Sequence, residues 1–336
     1  MLYKTGKKIK VLFTALAATC LLVLPACSGD DNSNADKPLI VVTTNILGDV
    51  VSKTVGDEFN VETIMPVGAD PHVFQASAKQ VNRMMKADLL VINGANFEEG
   101  LVDVIKAAES DGVKIFEAIN FVDLLKGHDE HDEEGHDEHD EEGHDEHDEK
   151  GHDEHDHGGV DPHFFTDPAR MAQVVRNLSD FLVLNFTEID VEDLKSDAKS
   201  YVNRLNDLDT EIEQKLSSIP TESRVLVTNH EVFGYFAERY EFKILGTIIP
   251  SSSTLSNASA KDLVGLAEVM KDNGTPAIFV DISSSASLAN ALAGELEGIE
   301  VVSLFSESLG SESSAGSTYI DMLRTNGELI ADALMG

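Results

Sequence analysis

Short β-branched runs alternate with helix-period segments along most of this chain, and this alternation restricts the fold more than any other feature. In the first half the strand-like runs are 39–44, 61–65, 88–92 and 113–116, separated by helix-like segments 46–55, 78–86 and 101–108. In the second half the strand-like runs are 225–228, 243–248, 277–281 and 301–304. Strands that alternate with helices indicate parallel sheets covered by helices. We therefore predict an α/β protein of two lobes, each a mostly parallel four-stranded sheet flanked by helices.

A long helical segment, 191–217, lies between the two halves. Its apolar residues recur every three or four positions and define one face: Ala198, Tyr201, Val202, Leu205, Leu208, Ile212 and Leu216. The predicted organisation is an N-terminal lobe at 38–188, a rigid connecting helix at 189–219 and a C-terminal lobe at 220–336. Within the last lobe we predict a helix from His230 to Tyr240. A second helix is predicted from the cap Ser259, with Asp262 three residues on, to Gly274.

The N-terminus has the pattern of an export signal. Four lysines precede the apolar run 11–24, which is too short to span a bilayer comfortably, and Leu24-Pro25-Ala26-Cys27 follows. This resembles a bacterial lipoprotein signal at 1–26, with Cys27 lipidated and 27–37 as a tether; the alternative is a plain secretory signal. Either reading places the protein outside the cytoplasm. Because Cys20 lies in the removed segment, the folded part has no thiol, and any metal site needs nitrogen and oxygen ligands.

Residues 127–158 are four copies of an acidic octad. They contain seventeen acids, one lysine and nine histidines: His128, His131, His136, His139, His144, His147, His152, His155 and His157. Without any apolar residue the segment cannot offset its ordering entropy by burial, so we predict a disordered loop inserted in the first lobe. Two interpretations stay open: a weak collector of metal ions near the cleft, and a low-complexity expansion without a role in transport. The formal net charge of −36 argues against a nucleic-acid partner.

Three histidines lie outside the octads: His72, His163 and His230. His72 and His163 each stand in the tripeptide Asp-Pro-His, where proline stiffens the loop. We expect all three at strand ends, where α/β proteins bind their ligands. Neutral imidazoles are ligands that Zn²⁺ prefers, and Zn²⁺ takes four donors, so one oxygen donor is still needed. The aspartates of the two tripeptides, Asp70 and Asp161, are candidate acceptors for the second ring N–H of each histidine.

Four segments together resemble the zinc/manganese solute-binding proteins of ABC importers, over nearly all of the chain after the tether. The segments are Val67-Gly68-Ala69-Asp70-Pro71-His72-Val73-Phe74, Asp161-Pro162-His163-Phe164-Phe165-Thr166-Asp167-Pro168, Asn229-His230-Glu231-Val232-Phe233-Gly234-Tyr235-Phe236, and Tyr319-Ile320-Asp321-Met322-Leu323 with Asn326. An acidic His-rich loop between the first two ligands is typical of zinc-specific members. The resemblance implies two lobes, a connecting helix and a metal held in the cleft by His72, His163 and His230. It also implies a membrane permease as partner.

The fourth ligand departs from that family pattern. The family usually has an aspartate before Leu-Gly in a loop after the last strands, whereas this chain has Glu307 in Ser306-Glu307-Ser308-Leu309-Gly310. Glu307 is therefore the candidate, Asp281 is the alternative, and a water could also complete the set. Three imidazoles and one carboxylate favour Zn²⁺ over Mn²⁺, whose sites are usually richer in oxygen.

The expected function is metal capture for import, by a monomer anchored to the membrane through its lipid. No H-E-x-x-H motif, nucleophile elbow or Gly-rich phosphate loop is present, so we expect no enzyme activity. The alternatives are a manganese-specific binding protein or a metal-dependent surface adhesin of the same fold. A zinc hydrolase is less favoured.

Overall fold

The structure is a computed structural model that describes residues 37–125 and 159–336. The signal segment 1–26, Cys27, all of the tether except Lys37, and the octads with their nine histidines lie outside these ranges. The expectations for those segments therefore remain predictions. None of the described helices is long and apolar enough to cross a membrane.

Two four-stranded parallel sheets form the two lobes, as predicted. The first contains β1 (Leu39–Val42), β2 (Asn60–Thr63), β3 (Leu89–Ile92) and β4 (Lys114–Glu117), in the order β2-β1-β3-β4. The second contains β5 (Val225–Thr228), β6 (Lys243–Thr247), β7 (Ala277–Asp281) and β8 (Glu300–Leu304), in the order β6-β5-β7-β8. The two sheets therefore have the same strand order relative to the chain. Because parallel strands end at one edge, the loops that follow them gather there.

Helices cover both sheets. Those of the first half are α1 (Asn45–Val55), α2 (Ala78–Met84), α3 (Val102–Ser110) and α4 (Pro168–Asn185), and α5 (Val191–Leu216) follows. Those of the second half are α6 (Gly234–Tyr240), α7 (Ala260–Asn273), α8 (Ser287–Glu295) and α9 (Tyr319–Met335). The predicted start and end of α7 are confirmed: Ser259 and Asp262 form a reciprocal capping box, and Gly274 ends the helix at φ 60°.

The connecting helix α5 packs against both lobes. The seven apolar residues predicted to share one face are all buried. That face contacts α1, α4 and α9, and a single core cluster extends from Ile40 of β1 through Leu205 of α5 to Phe279 of β7. Since the interior of a protein is close-packed, a core shared in this way restricts the lobes to small relative movements.

The predicted helix from His230 to Tyr240 is wrong at its start, because α6 begins at Gly234. The preceding backbone is bound elsewhere. The carbonyl of His230 accepts a hydrogen bond from the hydroxyl of Thr228 at 2.7 Å, and the N–H of Glu231 donates to the carbonyl of Ser251 at 3.0 Å. These contacts hold His230 in an irregular segment at the end of β5.

Candidate metal centre

His72 lies in the loop between β2 and α2, with 2% of its surface exposed. Asp70 Oδ1 accepts the backbone N–H of His72 at 2.9 Å, which fixes the turn. The ring atom Nδ1 lies 3.2 Å from Glu99 Oε1. The expectation that Asp70 binds this ring nitrogen is therefore wrong, because Glu99, in the turn after β3, holds that position.

His163 is completely buried and directly precedes the 3-10 turn Phe164–Thr166. Contrary to expectation, His163 does not follow a strand. Its loop is positioned by Asn93, which follows β3 and donates from Nδ2 to the carbonyl of Pro162 at 2.9 Å. Asp161 Oδ1 accepts both the backbone N–H of His163, at 2.9 Å, and its ring Nδ1–H, at 2.8 Å. The predicted contact of Asp161 with the ring is confirmed. With Nδ1 donating to this carboxylate, the neutral imidazole presents the lone pair of Nε2 to a metal.

His230 and Glu307 come from the second lobe and are also buried. His230 stands two residues after β5, and its Nδ1 has no hydrogen-bond partner among the described residues. Glu307 lies in the loop after β8. Asp281 Oδ2 shapes that loop by accepting the backbone N–H groups of Ser306, at 2.9 Å, and Glu307, at 3.0 Å. Asp281, the alternative fourth ligand, thus supports the loop of Glu307 and is not among the four grouped side chains.

The three imidazole Nε2 atoms converge on one oxygen. Glu307 Oε1 lies 2.9 Å from Nε2 of His72, 3.0 Å from that of His230 and 3.4 Å from that of His163. One donor atom from each residue falls within 4.8 Å of all the others. Four ligands around Zn²⁺ at about 2.0–2.1 Å stand about 3.3 Å apart in a tetrahedron, so these spacings suit the ion. Nε2 of His163 and Oε2 of Glu307 are buried without a hydrogen-bond partner among the described residues, as expected of ligand atoms.

The electrostatics of the centre favour a charged cluster when no metal is bound. Burial lowers the pKa of His72, but hydrogen bonds to Glu307 and Glu99 outweigh it and raise the pKa to about 10. The pKa of His163 is also raised: burial disfavours the charged ring, but Asp161 and Glu307 favour it and outweigh the burial. Burial alone would raise the pKa of Glu307, yet the three histidines hold it well below the usual range. A divalent cation must therefore displace protons from His72 and His163.

Aromatic rings shield the first-lobe side of the centre. Phe97 packs edge-on against His72, with centroids 5.0 Å apart, and against His163, at 5.4 Å. Its turn has positive φ at Gly94, Ala95 and Asn96. Sequence reasoning missed both Phe97 and Glu99. The signal available was their position directly after β3, at the same sheet edge as the histidine loops.

The last motif of the resemblance also supports the centre. Asn326 of α9 accepts the backbone N–H of Phe305 at 3.0 Å and donates to its carbonyl at 2.7 Å. Tyr319 donates its hydroxyl to the carbonyl of Phe165 at 2.8 Å. These contacts anchor the loops of Glu307 and His163.

This chain is similar, in sequence and in fold, to known proteins. The family model described as zinc-uptake complex component A, periplasmic, matches residues 40–333. The manganese ABC transporter substrate-binding lipoprotein PsaA of Streptococcus anginosus is 24% identical over 98% of this chain and 99% of its own length. The zinc-binding lipoprotein AdcA of Streptococcus pneumoniae is 31% identical over 95% of this chain and 60% of AdcA. The solved structure of the periplasmic zinc binding protein TroA from Treponema pallidum matches with a TM-score of 0.75 at 25% identity, covering 89% of this chain and 99% of that one.

Proposed function

The chain belongs to the family of zinc-uptake complex component A, and we propose that it captures Zn²⁺ between its lobes and delivers it to an importer. It is a metal-binding substrate-binding protein of an ABC transporter and not an enzyme, and it works outside the cytoplasm with a membrane permease as its partner. The convergence of three buried Nε2 atoms on the Glu307 carboxylate carries the proposal.

The donor set favours zinc over manganese. His72, His163 and His230 supply three nitrogens and Glu307 supplies oxygen, whereas oxygen-rich sets suit Mn²⁺. Relatives named for either metal match this chain, so the identity of the ion rests on the donors. Asp161 and Glu99 contribute further, because acceptors on Nδ1 orient two of the rings and increase their basicity.

The buried position suits transport better than hydrolysis. A catalytic zinc keeps one coordination position open to water or substrate, whereas here four side chains converge and each is at most 2% exposed. The first lobe contributes His72 and His163, and the second contributes His230 and Glu307. An ion bound by all four therefore joins the lobes, and separating the lobes removes ligands in pairs.

Delivery follows from that division. The metal enters as His72 and His163 lose their protons, and the permease releases it by disturbing one wall of the cleft. Lipidated Cys27 keeps a monomeric protein close to the permease, and the histidines of 127–158 raise the local supply of Zn²⁺. These roles of Cys27, the octads and the monomer belong to the same proposal.

Competitive titration of the full chain against a tight zinc chelator tests the assignment. Replacing His72, His163, His230 or Glu307 singly by alanine should weaken tight Zn²⁺ binding by more than about a hundredfold, since each leaves the ion short of a ligand. His144→Ala, within the octads, is the matched control and should leave tight binding unchanged. Undiminished tight binding in the four variants, or tighter binding of Mn²⁺ than of Zn²⁺, would defeat the proposal.

A further inference from the structure

Glu99 stands where the metal centre, the first lobe and the second lobe meet. It begins the 3-10 turn Glu99–Leu101 after β3, and its side chain is 32% exposed at the edge of the buried cluster. Its Oε1 lies 3.2 Å from Nδ1 of His72. A histidine that binds metal through Nε2 carries its proton on Nδ1, so Glu99 is the acceptor that fixes the tautomer and ring orientation of His72.

The same oxygen also contacts the second lobe. Ser253, in the loop that follows β6, donates its hydroxyl to Glu99 Oε1 at 2.5 Å. Ser253 itself does not belong to the four-residue centre. A hydrogen-bonded chain therefore runs from Ser253 through Glu99 to His72, and it crosses from one lobe to the other.

The next residue repeats this connection. Thr254 donates its hydroxyl to Asp70 Oδ2 at 2.7 Å, and the other oxygen of Asp70 accepts the backbone N–H of His72 at 2.9 Å. Both the ring N–H and the backbone N–H of His72 thus end on carboxylates that one loop of the second lobe holds. Two adjacent hydroxyl groups therefore each bind a carboxylate that supports the same metal ligand. Such a specific arrangement is not needed merely to keep the lobes in contact.

We propose that Ser253 and Thr254 form a clasp that, through Glu99 and Asp70, couples the orientation of the metal ligand His72 to closure of the lobes. This inference rests on the proposed metal-binding function. With the clasp closed, His72 is held for binding; when a partner displaces the serine-rich loop 250–257, both supports of His72 loosen and the metal leaves faster. Glu99 and Ser253 are positioning residues, since neither is among the grouped ligands.

Zinc dissociation from the full chain, measured by stopped flow with an excess of chelator, tests the clasp. Ser253→Ala should increase the dissociation rate about tenfold, the lower end of the effect seen when a support of a metal ligand is lost. Ser253→Thr should restore most of it, because it retains a hydroxyl. Ser252→Ala is the matched control: Ser252 is the neighbour of Ser253 in the same loop and lines a groove formed mostly by second-lobe residues, so its loss should leave the rate unchanged.

A double-mutant cycle separates coupling from general loosening. In a Glu99→Ala background, Ser253→Ala should have almost no further effect, because the proposed chain is already broken. Additive effects of the two substitutions, or a Ser253→Ala rate equal to that of Ser252→Ala, would overturn the clasp. If His230→Ala abolishes tight binding while Ser253→Ala changes nothing, the metal centre stands and only the clasp fails.

Discussion

The two Asp-Pro-His tripeptides offer a matched pair of perturbations, because the same residues make different contacts. Asp161 accepts both the backbone N–H and the ring Nδ1–H of His163, at 2.9 and 2.8 Å. Of the two N–H groups of His72, Asp70 accepts only the backbone one, at 2.9 Å, while Glu99 takes the ring; the other oxygen of Asp70 accepts the hydroxyl of Thr254. Asp161→Ala therefore removes a direct support of a ligand ring, and Asp70→Ala does not.

The expected magnitudes differ accordingly. Loss of an acceptor that orients a ligating histidine typically weakens metal binding by about 10–100-fold, or about 1.4–2.8 kcal/mol, which is the expectation for Asp161→Ala. Loss of one backbone hydrogen bond is worth about 1 kcal/mol, so Asp70→Ala should weaken binding by about fivefold when it is made in a Thr254→Ala background, where the other contact of Asp70 is already absent. Asp161→Asn keeps an oxygen acceptor and should lie between Asp161→Ala and the unmodified protein.

The assay is chelator competition for Zn²⁺, with thermal unfolding of the metal-free variants to confirm that each one folds. Equal losses at Asp70 and Asp161, or no loss at Asp161, would show that ring orientation by the carboxylate does not contribute to affinity.

Three further predictions concern the competition between protons and zinc, the octads at 127–158, and the close approach of Gly234 to Asp161. Since the pKa of His72 is raised from 6.5 to about 10, its ion pair stabilises the metal-free fold below pH 6.5 and is lost as pH rises toward 10. Over the same pH range the zinc affinity should increase. If the free energy of unfolding of the metal-free protein and the zinc affinity changed in the same direction with pH, this prediction would be contradicted. Calorimetry of a chain that lacks 127–158 should show that several weak zinc sites are lost and one tight site is kept. Loss of the tight site would refute the separation of the octads from the tight site. Gly234→Ala places a methyl group against the carboxylate of Asp161, so chelator competition should show weaker zinc binding, and unchanged affinity would count against this contact.

Much of the fold could be predicted because its signals are local. The β-branched runs became strands within about two residues of their predicted bounds, and the capping box at Ser259 set the start of α7. The spacing of apolar residues gave the buried face of α5. Helix α4 went unpredicted although Asp167 caps it and Pro168 occupies its first turn.

The supports of the metal centre could not be predicted, because they depend on contacts between distant segments. Two identical tripeptides gave no indication that Asp161 would bind its histidine ring while Glu99 would replace Asp70. The role of Asp281 depends on β7 and β8 being neighbours, which brings its carboxylate to the backbone of Glu307. Helix-period residues after His230 likewise could not reveal the hydrogen bond from Glu231 to Ser251.

X-ray absorption spectroscopy of the full chain, loaded with less than one equivalent of Zn²⁺, tests the central claim most directly. The tight site fills first under these conditions. We predict four ligands at about 2.0–2.1 Å, with three imidazole rings contributing outer-shell scattering and one oxygen donor. In Glu307→Ala the imidazole contribution should persist while the carboxylate is lost. A shell of six oxygens would contradict the account. So would an imidazole contribution that stays unchanged when His72, His163 and His230 are all replaced in a chain that lacks 127–158.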